Sequence, residues 1–427
     1  MKGRSKFPKV FWVANSIEVL ERFAYYGIFM GFLMYMESLG FTRDQSGTVQ
    51  GLFLFVSYFI PVFSGTFADR FGFKRVLIIS YLAYVPSVLL LLIADSYSEI
   101  MLTMLSIGFA AGIFKPLISG TVRLTTDSTN KTLGFGIFYL MVNVGASFGP
   151  IMAGKLRAIS WNYAFLMAGI ATSIMFVVTL LFYKEPEKDV SKVSVGKKLA
   201  EIFSTLTDVK YAVFLILLGL FFWLPFWGFF NICPAYVDKH INTFQLYEGI
   251  ESIFGGGFAQ LLSRQDEGVW RINGEAIAHT GWIILILQYF ISRIFEKRRA
   301  LPSFGFGIFV AGAGFLLIGY SINTAPAVAI LGIFIFAVGE MISSPRIQEY
   351  ITWIAPKEKA GLYMGSNFLA ICIGALLSGQ YTKLFGFFES KDNPEFVWYV
   401  LGAHCFIGVI VFFMFVKIAG EFREMEK

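Results

Sequence analysis

Long apolar runs alternate along the chain with short clusters of charge, glycine and proline. Each run reaches about 20 residues, the length a helix needs to cross the hydrocarbon layer of a membrane. Cutting at the polar punctuation predicts about twelve helices. Six lie at 11–38, 46–68, 74–94, 98–122, 133–155 and 161–184, and six more at 210–238, 273–295, 301–321, 326–352, 358–384 and 395–418. The charged stretch "KEPEKDVSKVSVGKKLAEIFSTLTDVK" parts the two sets and reads as a linker carrying a short amphipathic helix. The expected organisation is an N-terminal six-helix bundle over 1–184, a cytoplasmic linker over 185–209 and a C-terminal six-helix bundle over 210–427. Residues 239–272 mix apolar residues, charges and a "GGG" break. They lack the apolar length to span, and are predicted to be an extracellular insertion of two short surface-lying helices.

Composition turns this pattern into a class. Of 427 residues 56% are hydrophobic and only 15% charged, whereas a soluble domain carries roughly 25% charged residues. The expected fold class is an all-α polytopic membrane protein. The net charge of +6 is then a loop signal and not a nucleic-acid footprint. Lys2, Arg4, Lys6 and Lys9 precede helix one, Arg70, Lys74 and Arg75 follow helix two, and Arg293, Lys297, Arg298 and Arg299 follow helix eight. All fall on one side of the predicted topology, which the positive-inside rule makes cytoplasmic, with both termini. The basic start lacks a small-residue cleavage site and is expected to stay as the first span. Cys233, Cys372 and Cys405 are far apart in apolar surroundings and read as small buried hydrophobes. With three histidines and no HExxH spacing, neither a metal site nor an enzyme is indicated.

One helix breaks the apolar rule. "SIEVLERFAYYG" places Glu18, Glu21 and Arg22 within five positions of the first span. At about 100° per residue Glu18, Arg22, Tyr25 and Phe29 share a stripe, with Glu21 at its edge. A central charge facing lipid costs roughly 2.5–3.5 kcal/mol on insertion scales, so the stripe belongs on the bundle interior. Glu18 and Arg22 are spaced for an ion pair. Glu21 is then a second carboxylate on one cation, and its protonation would depend on whether Arg22 is engaged elsewhere. A purely structural ion cluster packing helix one fits the same residues.

"GTFADRFGFKR" (65–75) resembles the signature loop between helices two and three of the major facilitator superfamily. Gly65 would allow close helix approach, Gly72 a tight turn, and Asp69 and Arg70 complete the loop. That resemblance implies two bundles rocking about a midplane cavity in alternating access. Within the superfamily, Glu-x-x-Glu-Arg-Phe-x-Tyr-Tyr-Gly is similar to the first-helix motif of the proton-dependent oligopeptide transporters. "GIFKP" resembles that family's Gly-x-x-Lys-Pro segment and supplies Lys115. "NVGASFGP" supplies Asn143, Tyr58 matches a cavity tyrosine, and "GEMISSP" supplies Glu340 on helix ten. "IAPKEKAGLYMG" follows the family's connection into helix eleven.

The resemblance implies roles. Glu18, Glu21, Arg22 and Lys115 would couple protons, and Arg22, Tyr25, Tyr26, Tyr58, Lys115, Asn143 and Glu340 would line the substrate site. Gly65, Asp69, Arg70 and Gly72 would gate. A structural pairing of Lys115 with Glu18 or Glu21, a hydrogen-bonded Glu340 between helices, and plain packing for Tyr58 and Asn143 remain alternatives. Departures from the family are His279, near a position usually asparagine, and Arg346 and Glu349 in a mostly apolar stretch. The implied function is a proton-coupled symporter importing di- and tripeptides or peptide-like solutes. The alternative is the same fold with a sugar, amino acid, drug or organic anion as cargo, possibly exported. The expected partners are a small-molecule substrate, protons and the bilayer, with no nucleic acid. No cofactor beyond the proton gradient, a monomer, and a bacterial inner-membrane location complete the expectation.

Overall fold

The computed structural model describes residues 6–127, 129–186, 195–355 and 360–422. Twelve long helical spans run in two sets of six. The first set is α1 (Lys9–Ser38), α2 (Arg43–Phe71), α3 (Phe73–Leu90), α4 (Tyr97–Leu124), α5 (Lys131–Arg157) and α6 (Trp161–Phe182). The second is α7 (Val209–His240), α8 (Gly274–Phe295), α9 (Ala300–Tyr320), α10 (Ala327–Ile354), α11 (Ala360–Glu389) and α12 (Phe396–Ala419). Eleven spans are apolar enough to cross a membrane on length and composition alone. The remaining one is α1, which carries Glu18, Glu21 and Arg22. This is a multi-pass membrane protein.

Local chemistry sets the ends and breaks of these helices. Thr42 with Gln45 caps α2, and Ser96 with Glu99 caps α4, each as a reciprocal capping box. A proline inside a span removes an N–H and frees the carbonyl four residues earlier, and at three of the interior prolines that carbonyl has a side-chain partner. Pro61 frees Ser57 O, which accepts from Lys115 Nζ at 3.3 Å. Pro116 frees Gly112 O, which accepts from Ser64 Oγ at 3.3 Å. Pro345 frees Met341 O, which accepts from Gln288 Nε2 at 3.4 Å. The breaks thus serve as polar joints between neighbouring helices.

With the termini defining the near end, the bundles meet at the far end. Gly47 of α2 and Gly379 of α11 are packed backbone to backbone, so that a Cβ on Gly379 would fall 1.9 Å from Gly47 O. Beside them Gln50 donates to Asn231 O at 3.2 Å and accepts from Thr382 Oγ1 at 2.7 Å. Ion pairs close the rim: Arg43 to Glu389 at 3.0 Å, Lys239 to Glu37 at 3.1 Å and Arg157 to Asp238 at 2.6 Å. Among the described residues, every ion pair joining the two bundles lies at this end.

The segment between α7 and α8 corrects the sequence reading. Its two helices are present, Thr243–Phe254 and Gly256–Leu261, but a β-hairpin follows them. Strands β1 (Ser263–Asp266) and β2 (Val269–Ile272) pair antiparallel, a small addition to the helical fold. Glu267 (φ 48°) and Gly268 (φ 81°) form the turn, the left-handed pair that suits a two-residue hairpin. That Glu-Gly dipeptide was the available signal, weak beside strands of only four residues. The segment packs Leu246, Tyr247, Leu262 and Ile272 against Ile151 of α5.

Candidate functional site

The three charges of α1 point inward. Glu18 and Glu21 are fully buried and Arg22 nearly so. Arg22 Nε lies 2.7 Å from Glu18 Oε1 and Arg22 Nη1 lies 3.3 Å from Glu21 Oε2. Tyr84 of α3 donates to Glu21 Oε1 at 3.3 Å. One guanidinium therefore serves two carboxylates, while Glu18 Oε2 has no hydrogen-bond donor among the described residues. A buried oxygen in that state is a place where a proton can be held.

Lys115 is a separate cation. Its ammonium sits over the Tyr58 ring at 4.0 Å and the Tyr25 ring at 4.7 Å, and donates to the Ser57 carbonyl. Among the described residues it makes no ion pair within 4 Å, so the alternative of a direct pairing with Glu18 or Glu21 is not what the geometry shows. Aromatic faces and a freed carbonyl hold it instead. Tyr25 is buried, whereas Tyr26, Tyr58 and Lys115 are half-buried. These residues come together because α1, α2 and α4 pack on one another, and Tyr25 stacks on Phe53 with ring centroids 5.3 Å apart.

Glu340 stands in the second bundle. It is half-buried and accepts from Thr280 Oγ1 of α8 at 3.0 Å. Below it a cavity of about 310 Å³ is lined by Tyr139, Gln288, Ser292, Glu340, Ser344 and Gln348. A second cavity of about 340 Å³ shares Ser292, Met341 and Pro345 with it and reaches Arg293, Glu296, Arg346 and Glu349 toward the near end. Arg346 and Glu349 pair with each other at 2.5 Å. Asn143 is buried, with its amide donating to Tyr139 O of its own helix at 2.9 Å.

Sequence reasoning singled out His279 but not its setting. The ring sits at a break within α8, between Ala278 and Gly281, with Nδ1 accepting from Gly281 N at 3.0 Å, and lies edge to face with Tyr26 at 5.0 Å. Tyr26 and His279 thus join the bundles beside the site. Trp227 of α7 was missed. It lies 5.0 Å from Tyr58 and 6.2 Å from Phe29, and adds an aromatic wall from the second bundle. Nothing in "FFWLPFWGFF" distinguishes it from its neighbours.

The loop between α2 and α3 differs in part from expectation. Gly72 takes φ 92°, a conformation a side chain disfavours. Glu185 accepts from Phe73 N at 2.6 Å and Lys74 N at 2.8 Å, capping α3 from the start of the linker. Asp69 is half-buried and Arg70 exposed. Gly65 is not a close-approach position, since an added Cβ would come no nearer than 3.9 Å to Pro116. The connection into α11 lies partly outside the described residues.

Comparisons with known proteins point the same way. The sequence profile of the Major Facilitator Superfamily matches residues 16–379. The quinolone resistance protein NorA of Staphylococcus aureus (strain MSSA476) is 26% identical over 56% of this chain, a match spanning 63% of that protein. Dipeptide and tripeptide permease A of Yersinia pestis is 24% identical over 89% of this chain and 84% of its own length. A crystal structure of a POT family transporter with 5-aminolevulinic acid superposes with TM-score 0.75 at 20% identity, covering 96% of each chain. The nucleoside transporter NupG superposes with TM-score 0.75 at 14% identity, covering 95% of this chain and 99% of its own. With the profile running from the charged turn of α1 into α11, the chain belongs to the major facilitator superfamily.

Proposed function

We propose that the protein is a proton-coupled symporter that imports di- or tripeptides, or peptide-like solutes, by alternating access. The observation that carries the reading is the division of charge between the two bundles. Arg22 and Lys115 lie in the first bundle and Glu340 in the second, with Tyr26 of α1 and His279 of α8 in ring contact between the bundles. A zwitterion spanning the gap would meet a cation at its carboxylate and an anion at its amino end. The shared guanidinium of Glu18, Glu21 and Arg22 supplies the coupling. A proton on either carboxylate weakens that carboxylate's hold on Arg22, and cargo bound nearby biases where the proton rests. The aligned motifs of α1 and α4, and the permease covering most of this chain, support a peptide cargo. The far-end contacts and the near-end cavities support a state closed at the far end.

In this reading both termini are cytoplasmic, the host membrane is the bacterial inner membrane and the working unit is a monomer. Purified protein in liposomes, given dialanine under an imposed inward-acid gradient, should acidify the lumen as it accumulates the peptide. Acidification by a sugar, amino acid or drug but not by peptides would replace the cargo and keep the fold. Export of a quinolone-like compound would reverse the direction.

A further inference from the structure

The insertion between α7 and α8 delivers a charge that the transport scheme leaves unused. Arg264 of β1 donates from Nη1 to Asp238 Oδ1 at 3.0 Å and to Asn273 Oδ1 at 2.9 Å. The Gly274 N–H donates to the same Asp238 oxygen at 2.9 Å. Arg157 holds the other oxygen, Oδ2, at 2.6 Å, and bonds Glu275 Oε2 at 3.0 Å. One carboxylate is therefore shared by two guanidinium groups, one from each bundle. Glu275, Asp238, Arg157 and Arg264 are all largely buried.

The membership of the cluster is lopsided. Arg157, at the end of α5, is its one first-bundle charge; Asp238, Arg264 and Glu275 belong to the second bundle or its insertion. When the far end opens, Arg157 must leave and the other three stay together. A buried carboxylate stripped of its only cation is strongly unfavourable. Asp238 is spared that, because Arg264 and the Gly274 amide remain on it. While the end is closed, Arg264 also repels Arg157 across the shared carboxylate.

We propose that Arg264 is a counter-charge that loosens the far-end latch, and that the hairpin exists to hold it there. The inference rests on the alternating-access reading, but not on the cargo. Its sign separates it from simple stapling. If Arg264 only fastens the hairpin to α7, losing it should loosen the far end. If it is a counter-charge, losing it should tighten Arg157 onto two unrelieved carboxylates.

The test uses the full chain in lipid nanodiscs, with spin labels at Ile159→Cys and Lys391→Cys, exposed positions on opposite bundles. The three native cysteines are buried. Arg157→Gln should raise the long-distance population. Arg264→Gln should lower it, on the order of tenfold, and Arg264→Lys should leave it near that of the unaltered protein. In the Arg157→Gln background, Arg264→Gln should have no closing effect. A rise with Arg264→Gln, or Arg264→Lys behaving like Arg264→Gln, overturns the inference and leaves alternating access standing. No change in any variant, Arg157→Gln included, overturns both.

Discussion

The Lys115 ammonium lies 3.3 Å from the carbonyl oxygen of Ser57, the acceptor that Pro61 releases in α2. A proline break and an intramembrane lysine, 54 residues apart in sequence, thus complete one another. The carbonyl gains a donor, and the cation gains a partner that carries no charge. A carboxylate partner would bind the ammonium far more tightly. A carbonyl and two aromatic faces hold the lysine in place and leave its charge available to cargo.

Lys115→Ala should therefore abolish proton-driven uptake, and Lys115→Arg should not restore it. Arginine stays charged at any accessible pH and is too wide a fork for a site built on one carbonyl and two ring faces. Pro61→Ala should act in the same direction but more weakly, because the restored N–H competes for Ser57 O. Uptake of labelled dialanine against an imposed gradient reads all three. Normal pH-dependent uptake by Lys115→Arg would remove lysine deprotonation from the cycle.

Glu21→Gln is expected to separate the driving force from the pathway. Glutamine keeps an oxygen for Tyr84, whose hydroxyl is 3.3 Å from Glu21 Oε1, but cannot take up or release a proton. Concentrative uptake should be lost while counterflow exchange of preloaded cargo persists. Undiminished concentration of cargo by the variant would show that Glu21 does not couple.

In the second bundle Glu340 has one oxygen bonded to Thr280. A contact between the free oxygen and a cargo ammonium is worth roughly 1.5–3 kcal/mol, about ten- to a hundredfold in affinity. Glu340→Gln should weaken binding of a free-amine dipeptide by that factor and of its N-acetyl analogue much less, as measured by isothermal titration. Equal losses for both ligands would leave Glu340 with a structural or proton-coupling role.

The contact between Gly47 and Gly379 offers a test of the closed end. Gly379→Val would place a side chain where the facing backbone oxygen already sits, and the two helices would have to separate. Far-side thiol accessibility at Lys391→Cys and Ile159→Cys should not report this, since both are exposed already. Labelling of a cysteine at Thr382, buried in the interface, should rise several-fold instead. Unchanged labelling would mean that the close approach is not needed for closure.

Much of this protein was legible in one dimension. Hydrophobic length gave the number of spans because lipid demands that every backbone polar group be satisfied within a helix. The three charges of α1 had to face inward, since lipid would penalise them, and Arg22 does gather both glutamates. The spacing i, i+4 is local, so that pairing needed no tertiary knowledge. Tertiary structure decided what depends on distant segments meeting. Lys115 could be seen as a lone cation, but its partners come from α1 and α2 and include a carbonyl whose availability follows from a proline elsewhere. Gly65 carried a motif glycine's promise of close packing that its neighbours do not require. The hairpin escaped notice because four-residue strands leave almost no periodic signal, and they are held by one turn and by packing on α5. The far-end cluster lay deepest of all. Arg157, Asp238, Arg264 and Glu275 are unremarkable charges near helix ends in the sequence, and only the docking of two bundles and an insertion makes them share one buried site.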